Sequence, residues 1–184
     1  MIKKIVIPLL KLNAKLTQRN RVVDIFGAFM HAQSILIFMP DNLEDFGIAR
    51  KFTRTFTENF PNIKLHFVMR SSFKSLLDGN LGYGTIFVAD RDENYWGLPK
   101  KDLKQRILAT NFDIAIDLNN EFHLLSTYLC QIGGAKLRIC FDNTDREPFY
   151  NFYFRSHTHK NLEDKYKRFV QFLCDCANPK KVEN

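Results

Sequence analysis

Acidic side chains recur at the ends of this chain's apolar runs. Asp41 and Asp45 follow Ser34–Met39, Asp90 and Asp92 follow Thr85–Ala89, Asp117 closes Phe112–Leu118, and Asp142 follows Lys136–Phe141. Carboxylates gathered along one edge can take a proton from a hydroxyl or hold a divalent cation. Helix N-termini also attract acids through the helix dipole, so capping competes with chemistry at each of these positions. Other chemistries lack their patterns. Pro40–Gly47, after the first apolar run, contains no G-x-G-x-x-G, and the chain has no P-loop, H-E-x-x-H or G-x-S-x-G, so no cofactor is expected. The five histidines are scattered, with His66 in an apolar run, His123 at a helix start, and His157 and His159 in a polar loop. Cys130, Cys140, Cys174 and Cys176 read as reduced packing thiols. Cys174 and Cys176, two apart in a helical pattern, face away from each other, so no metal site is expected.

The elements that must position the acids centre on Asn111–Phe141. Phe112–Leu118 is short, apolar and rich in β-branched isoleucine, as a strand buried on both faces should be. Asn119 or Asn120 is placed to cap a helix over Phe122–Ile132, Gly133-Gly134 supplies its stop, and Lys136–Phe141 alternates as the next strand. Strand, helix and strand with short connections make a right-handed βαβ unit, which puts Asp117, Asn119 and Asp142 at the ligand-binding rim. Upstream, the spacing predicts strands over Ser34–Met39, Ile63–Met69 and Thr85–Ala89, with a helix over Glu44–Phe60, a short one over Ser72–Leu77, and another starting at Pro99. Gly82-Tyr83-Gly84 reads as a turn, and the aromatic strip Phe149–Phe154 as an edge strand or groove wall. Leu162–Cys176 reads as a closing amphipathic helix. This alternation predicts an α/β, three-layer Rossmann-like domain with a parallel sheet of order 3-2-1-4-5.

Composition narrows the classes. Hydrophobic content of 45% over 184 residues builds one full domain, and no apolar run nears the length of a membrane span. Six of the seven net positive charges, Lys3, Lys4, Lys11, Lys15, Arg19 and Arg21, precede the first acid, Asp24. The body is therefore nearly neutral, which argues against a nucleic-acid partner. Residues 1–33 read as a basic amphipathic helical arm, 34–178 as the Rossmann-like domain, and 179–184 as a disordered tail. The arm fits either an interfacial helix on anionic lipid headgroups or a helix packed on the sheet with a solvated basic face. Cysteine usage points to a cytoplasmic protein, peripheral at the inner face of the membrane if the arm binds lipid.

A response-regulator receiver matches the pattern only at Asp41 and Asp90. The fourth strand ends in Asp117-Leu118-Asn119 rather than in Ser or Thr, and no Lys follows Phe141. Three stretches do carry a resemblance: Ile35–Asp45, Phe60-Pro61-Asn62 leading to Val68-Met69-Arg70-Ser71, and Phe112–Leu118 with Gly133–Phe141. In order and spacing these resemble the amino-terminal half of glycosyltransferase family 9, which contains the ADP-heptose:lipopolysaccharide heptosyltransferases. The resemblance implies one half of a GT-B architecture, the acceptor side of sugar transfer in cell-envelope glycolipid assembly. It implies Asp45 as general base and Asp41, Asn42, Arg70, Asp117 and Asn119 as acceptor-binding residues. The nucleotide-sugar would need a second domain or a protein in trans, without which the chain is expected to be inactive or incomplete. Where that family has a glycine before the base, this chain has Glu44, and its glycine after Arg-Ile is Cys140 here. The other function class consistent with the residues is a non-catalytic Rossmann-like binding module for a partner or a membrane surface.

Overall fold

The computed structural model describes residues 3–17, 23–77, 84–155 and 161–178. Arg19, Arg21, Gly82, Tyr83, His157, His159 and the tail from 179 lie outside the described residues, as do the side chains of Lys3 and Lys4. Six parallel strands form one sheet: β1 (Ser34–Phe38), β2 (Lys64–Arg70), β3 (Gly84–Val88), β4 (Ile114–Asp117), β5 (Leu137–Phe141) and β6 (Phe152–Phe154). Their order is 3-2-1-4-5-6, which is the expected order with one strand added at the edge. All of β1 and β4 is buried, as continuous apolar runs in a parallel sheet require.

Alternation along the strands sorts the core into two layers. Ile35, Ile37, Leu65, Phe67, Ile114, Ile116, Ile139 and Phe141 face one side. There α2 (Ile25–His31), α3 (Leu43–Ala49), α4 (Thr53–Asn59) and α7 (Leu162–Ala177) cover them with Phe29, Phe46, Phe56 and Phe169. Leu36, Phe38, Val68, Ala115 and Cys140 face the other side. They lie under α1 (Lys3–Thr17), α5 (Lys101–Leu108) and α6 (Leu124–Ile132), through Ala14, Leu103, Ile107, Leu125 and Leu129. Each fully buried Phe or Leu contributes about 1.5–3 kcal/mol relative to exposure. β6 leans on α7, with Phe152 stacked on Phe172 at 5.3 Å and Phe154 against Phe169 at 5.0 Å.

Several elements differ from the sequence expectation. The helix expected over Glu44–Phe60 is interrupted by a 3-10 turn at Arg50–Phe52, where the Thr53 hydroxyl donates to the Arg50 carbonyl at 2.8 Å. A 3-10 helix at Ser71–Leu76 stands where a short α-helix was expected. Pro99 does not open α5. It bridges to Glu93, and the helix starts after Lys100. Neither Asn119 nor Asn120 caps α6, whose N-cap is His123 without a side-chain bond. Both asparagines are otherwise engaged, Asn119 by Asp117 and Asp41, and Asn120 by Lys165 at 2.5 Å. The expected stop is present, with Gly134 at φ +77°.

Candidate functional site

β1, β2 and β4 end beside one another at their carboxyl edge, which brings Asp41, Arg70 and Asn119 to one place. Asp41 follows β1, and its backbone N–H donates to Asn119 Oδ1 at 2.9 Å. Arg70, the last residue of β2, grips Asp41 with Nε and Nη2 and donates through Nη1 to Glu93. Burial alone would lower the Arg70 pKa, but the bonds and charges of Asp41 and Glu93 outweigh it and hold it above its ordinary value. Nε2 of His123 stands 3.4 Å from Asp41 Oδ2. Asp41, Arg70, Asn119 and His123 line a cavity of about 20 Å³ together with Phe38, Val68, Val88 and Leu125, and Glu93 holds Arg70 from outside its wall. That is room for about one water, so a larger ligand must rest on the mouth.

Beneath the rim lies a buried polar network. Asp117, fully buried, faces α6 because alternation in β4 turns Ala115 and Asp117 to that side. It accepts from the Asn119 N–H at 3.0 Å and Asn119 Nδ2 at 2.7 Å, from Ser126 Oγ at 2.8 Å, and from the Tyr150 hydroxyl at 2.5 Å. Burial and the Asp117 charge push the Tyr150 hydroxyl well above its ordinary pKa, so it remains a donor. Arg146, also fully buried, donates to the Asn119 and Glu121 carbonyls. Desolvation works against its charge, but Asp117 and its neighbours hold the pKa up. Through Asn119 this network fixes the backbone that presents Asp41.

A larger open groove of about 600 Å³ begins at Ser71, the residue after Arg70, and is lined by Phe87, Ala89, Arg91, Asp92, Asp102 and Arg106. Its charges balance, and Arg106 pairs with Asp92 at 2.9 Å. Asp92 Oδ2 also accepts from the Ala89 N–H at 2.9 Å.

Of the acceptor-binding residues expected from the sequence, Asp41, Arg70 and Asn119 line the cavity and Asp117 supports them from below. Asn42 instead caps α3, its Oδ1 accepting from the Asp45 N–H at 2.8 Å. Asp45 sits in the first turn of α3 as expected, but it does not open onto the cleft. It is 8% exposed and absent from the cavity wall, and its charge helps raise the pKa of Tyr166 on α7. The reason is packing, since α3 lies against α7 and its third residue turns into that contact. Asp142 is held by Arg155 at 2.5 Å, away from the cavity. Sequence reasoning missed Glu93, His123 and Ser126. In the sequence His123 reads only as a histidine at a helix start, and Glu93 directly follows Asp92 among the acids after the third strand. Among the described residues no cluster of His, Cys, Asp and Glu is arranged to hold a metal ion.

The same architecture recurs in solved structures. A family 9 glycosyl transferase from Veillonella parvula matches with TM-score 0.61 and 16% identity, over 79% of this chain and 42% of that one. The E. coli heptosyltransferase WaaC with ADP matches with TM-score 0.54 and 18% identity, over 76% of this chain and 46% of that one. E. coli ADP-heptose LPS heptosyltransferase II matches with TM-score 0.50 and 17% identity, over 67% and 35%. The chain thus spans less than half the length of these structures, and at such identities the likeness is one of fold. No curated protein matches by sequence. The sequence pattern that does match covers residues 7–173, and by it the chain belongs to the family of unknown function DUF6913.

Proposed function

We propose that this chain is the acceptor side of a glycosyl-transfer system in cell-envelope glycolipid assembly, with the nucleotide-sugar held by a second domain or a protein in trans. The observation that carries this is the Asp41–Arg70–Glu93–His123 cluster at the carboxyl edge of a sheet folded as in family 9 glycosyltransferases. Arg70 is outnumbered by Asp41, Glu93 and the nearby Asp90, so the mouth disfavours phosphate and suits uncharged hydroxyls, which such charged groups bind well. The adjoining groove has the volume of a saccharide site and a balanced charge. In this reading His123, steadied by Asp41, accepts the proton of the attacking hydroxyl, and Asp45 serves α3 and α7 instead. Asn119 and Asp117 hold the geometry.

One observation favours a binding module without catalysis. Both carboxylate oxygens of Asp41 are already engaged by Arg70, which leaves less freedom to tune a base. Saturation-transfer NMR of the full chain with neutral and phosphorylated oligosaccharides tests the shared core of both readings. Neutral saccharides should bind, and Arg70→Met should abolish the signal. No saccharide binding, or binding untouched by Arg70→Met, would sink the proposal. If a donor protein supports transfer, His123→Gln should remove turnover and keep binding, whereas turnover retained in that variant would leave the module without a base at His123.

A further inference from the structure

Helix α1 turns three of its leucines outward. Leu9, Leu12 and Leu16 are 62, 55 and 78% exposed, whereas Ala14 is fully buried and Leu10 packs partly against the α5–α6 side of the core. At about 100° per residue the three leucines share an arc of about 60°, opposite the Leu10–Ala14 face that anchors the helix. Lys11 reaches Asp145 at 3.7 Å, tying α1 to the loop after β5. That loop leaves the carboxyl edge of the sheet, the edge that carries the cavity. The arm lies upstream of β1 and carries six positive charges with no acid before Asp24. No helix among the described residues is long and apolar enough to cross a membrane.

We infer that α1 docks the chain on an anionic lipid surface, with Leu9, Leu12 and Leu16 entering the headgroup–acyl boundary and the net positive charge of the arm drawing it to the lipid phosphates. The inference stands independently of the acceptor reading. Charge selects this occupant. A second copy seated on the same stripe would bring two six-fold positive segments together, whereas an anionic bilayer supplies both an apolar phase and the opposite charge. Because α1 is tied to the carboxyl edge, docking would hold the cavity near the lipid headgroups.

The test is co-sedimentation of the full chain with sucrose-loaded vesicles of phosphatidylcholine alone or mixed with phosphatidylglycerol, at low and high salt. Partitioning should rise at least about tenfold with the anionic lipid and fall steeply with salt. Replacing the exposed stripe (Leu9→Ser, Leu12→Ser, Leu16→Ser) should reduce it by about tenfold or more, with circular dichroism and melting temperature unchanged. A second variant, Lys3→Gln with Lys4→Gln and Lys15→Gln, keeps the leucines and should remove the preference for the anionic lipid. Failure to bind vesicles, equal binding to both compositions, or full binding by either variant would overturn the inference. So would concentration-dependent self-association in ultracentrifugation that the leucine variant abolishes, because the stripe would then belong to a second copy.

Discussion

Asp117 is the residue whose removal should expose how the rim is held. Four donors converge on its buried carboxylate. In an Asp117→Ala variant three of them have a second acceptor in reach. Ser126 Oγ has the His123 carbonyl at 3.2 Å, Tyr150 has Thr127 Oγ1 at 3.3 Å, and Asn119 Nδ2 has Ser126 Oγ at 3.3 Å. The Asn119 N–H has none of these and costs about 1–3 kcal/mol when left unsatisfied. The larger cost is Arg146, whose buried charge loses its main counter-ion, a loss of about 3–5 kcal/mol. The alanine variant should therefore lose about 5 kcal/mol, a large share of the roughly 5–15 kcal/mol that a domain has. Asp117→Asn keeps one oxygen for Asn119 and lets the Tyr150 and Ser126 hydroxyls turn to accept. It should lose about 2–3 kcal/mol, mostly through the lost charge. Urea unfolding followed by circular dichroism measures both, read as a shift of midpoint at constant slope. An asparagine variant within about 0.5 kcal/mol of wild type would mean that Arg146 does not depend on Asp117, and the account of the network would fall.

Other outcomes can be checked with little effort. Burial pushes the Cys140 thiol up to about 12, and the Cys130 thiol is raised well above its ordinary value, so neither should react with iodoacetamide in the native protein near neutral pH. Peptide mapping should find both alkylated only after denaturation. Gly134→Ala meets no atoms within 4 Å but imposes φ +77° on a side chain, so it should cost about 1–2 kcal/mol in the same urea assay, and a neutral result would contradict the strain argument. His66, its pKa lowered from the ordinary 6.5 by burial and then by Lys64, binds its proton less readily folded than unfolded. Its share of stability is therefore present above pH 6.5 and lost as the pH falls through that value toward the folded pKa. NMR titration of its ring should give a midpoint below 6.5, and a midpoint at or above it would refute the assignment.

The strands were legible because a parallel sheet covered on both sides needs unbroken apolar runs, and Ser34–Met39 or Phe112–Leu118 has no other stable use. The edge strand was only half legible, since three residues, Phe152–Phe154, are too few to show a period and their rings serve α7 as well as the sheet. Strand ends pointed to Asp41, Asp117 and Asn119. What sequence does not carry is which way a side chain turns once helices pack. Asp45 and Asp41 are four residues apart, yet one turns toward α7 and the other toward Arg70. His123 was legible only as a histidine at a helix start, because its nearness to Asp41 depends on how the loop after β4 sets α6 beside the end of β1. The α6 start moved because Asn119 binds Asp117 and Asp41 more profitably than it could serve a helix end.

The strand order has a consequence for the chain while it is being made. β1 lies in the middle of the sheet, but Ser34 meets Asp113 79 positions further along, and until β4 arrives one edge of β1 has no neighbour. At a synthesis rate of roughly 5–20 residues per second that edge stays open for about 4–16 s on the ribosome. From the completion of β3 until β4 arrives, β1, β2 and β3 form a small sheet whose open margin is the apolar Ile35-Leu36-Ile37-Phe38, a ready template for another nascent chain. Slowed translation between Asn94 and Asn111 would lengthen that window, and a chaperone that shields exposed strand edges would matter most there.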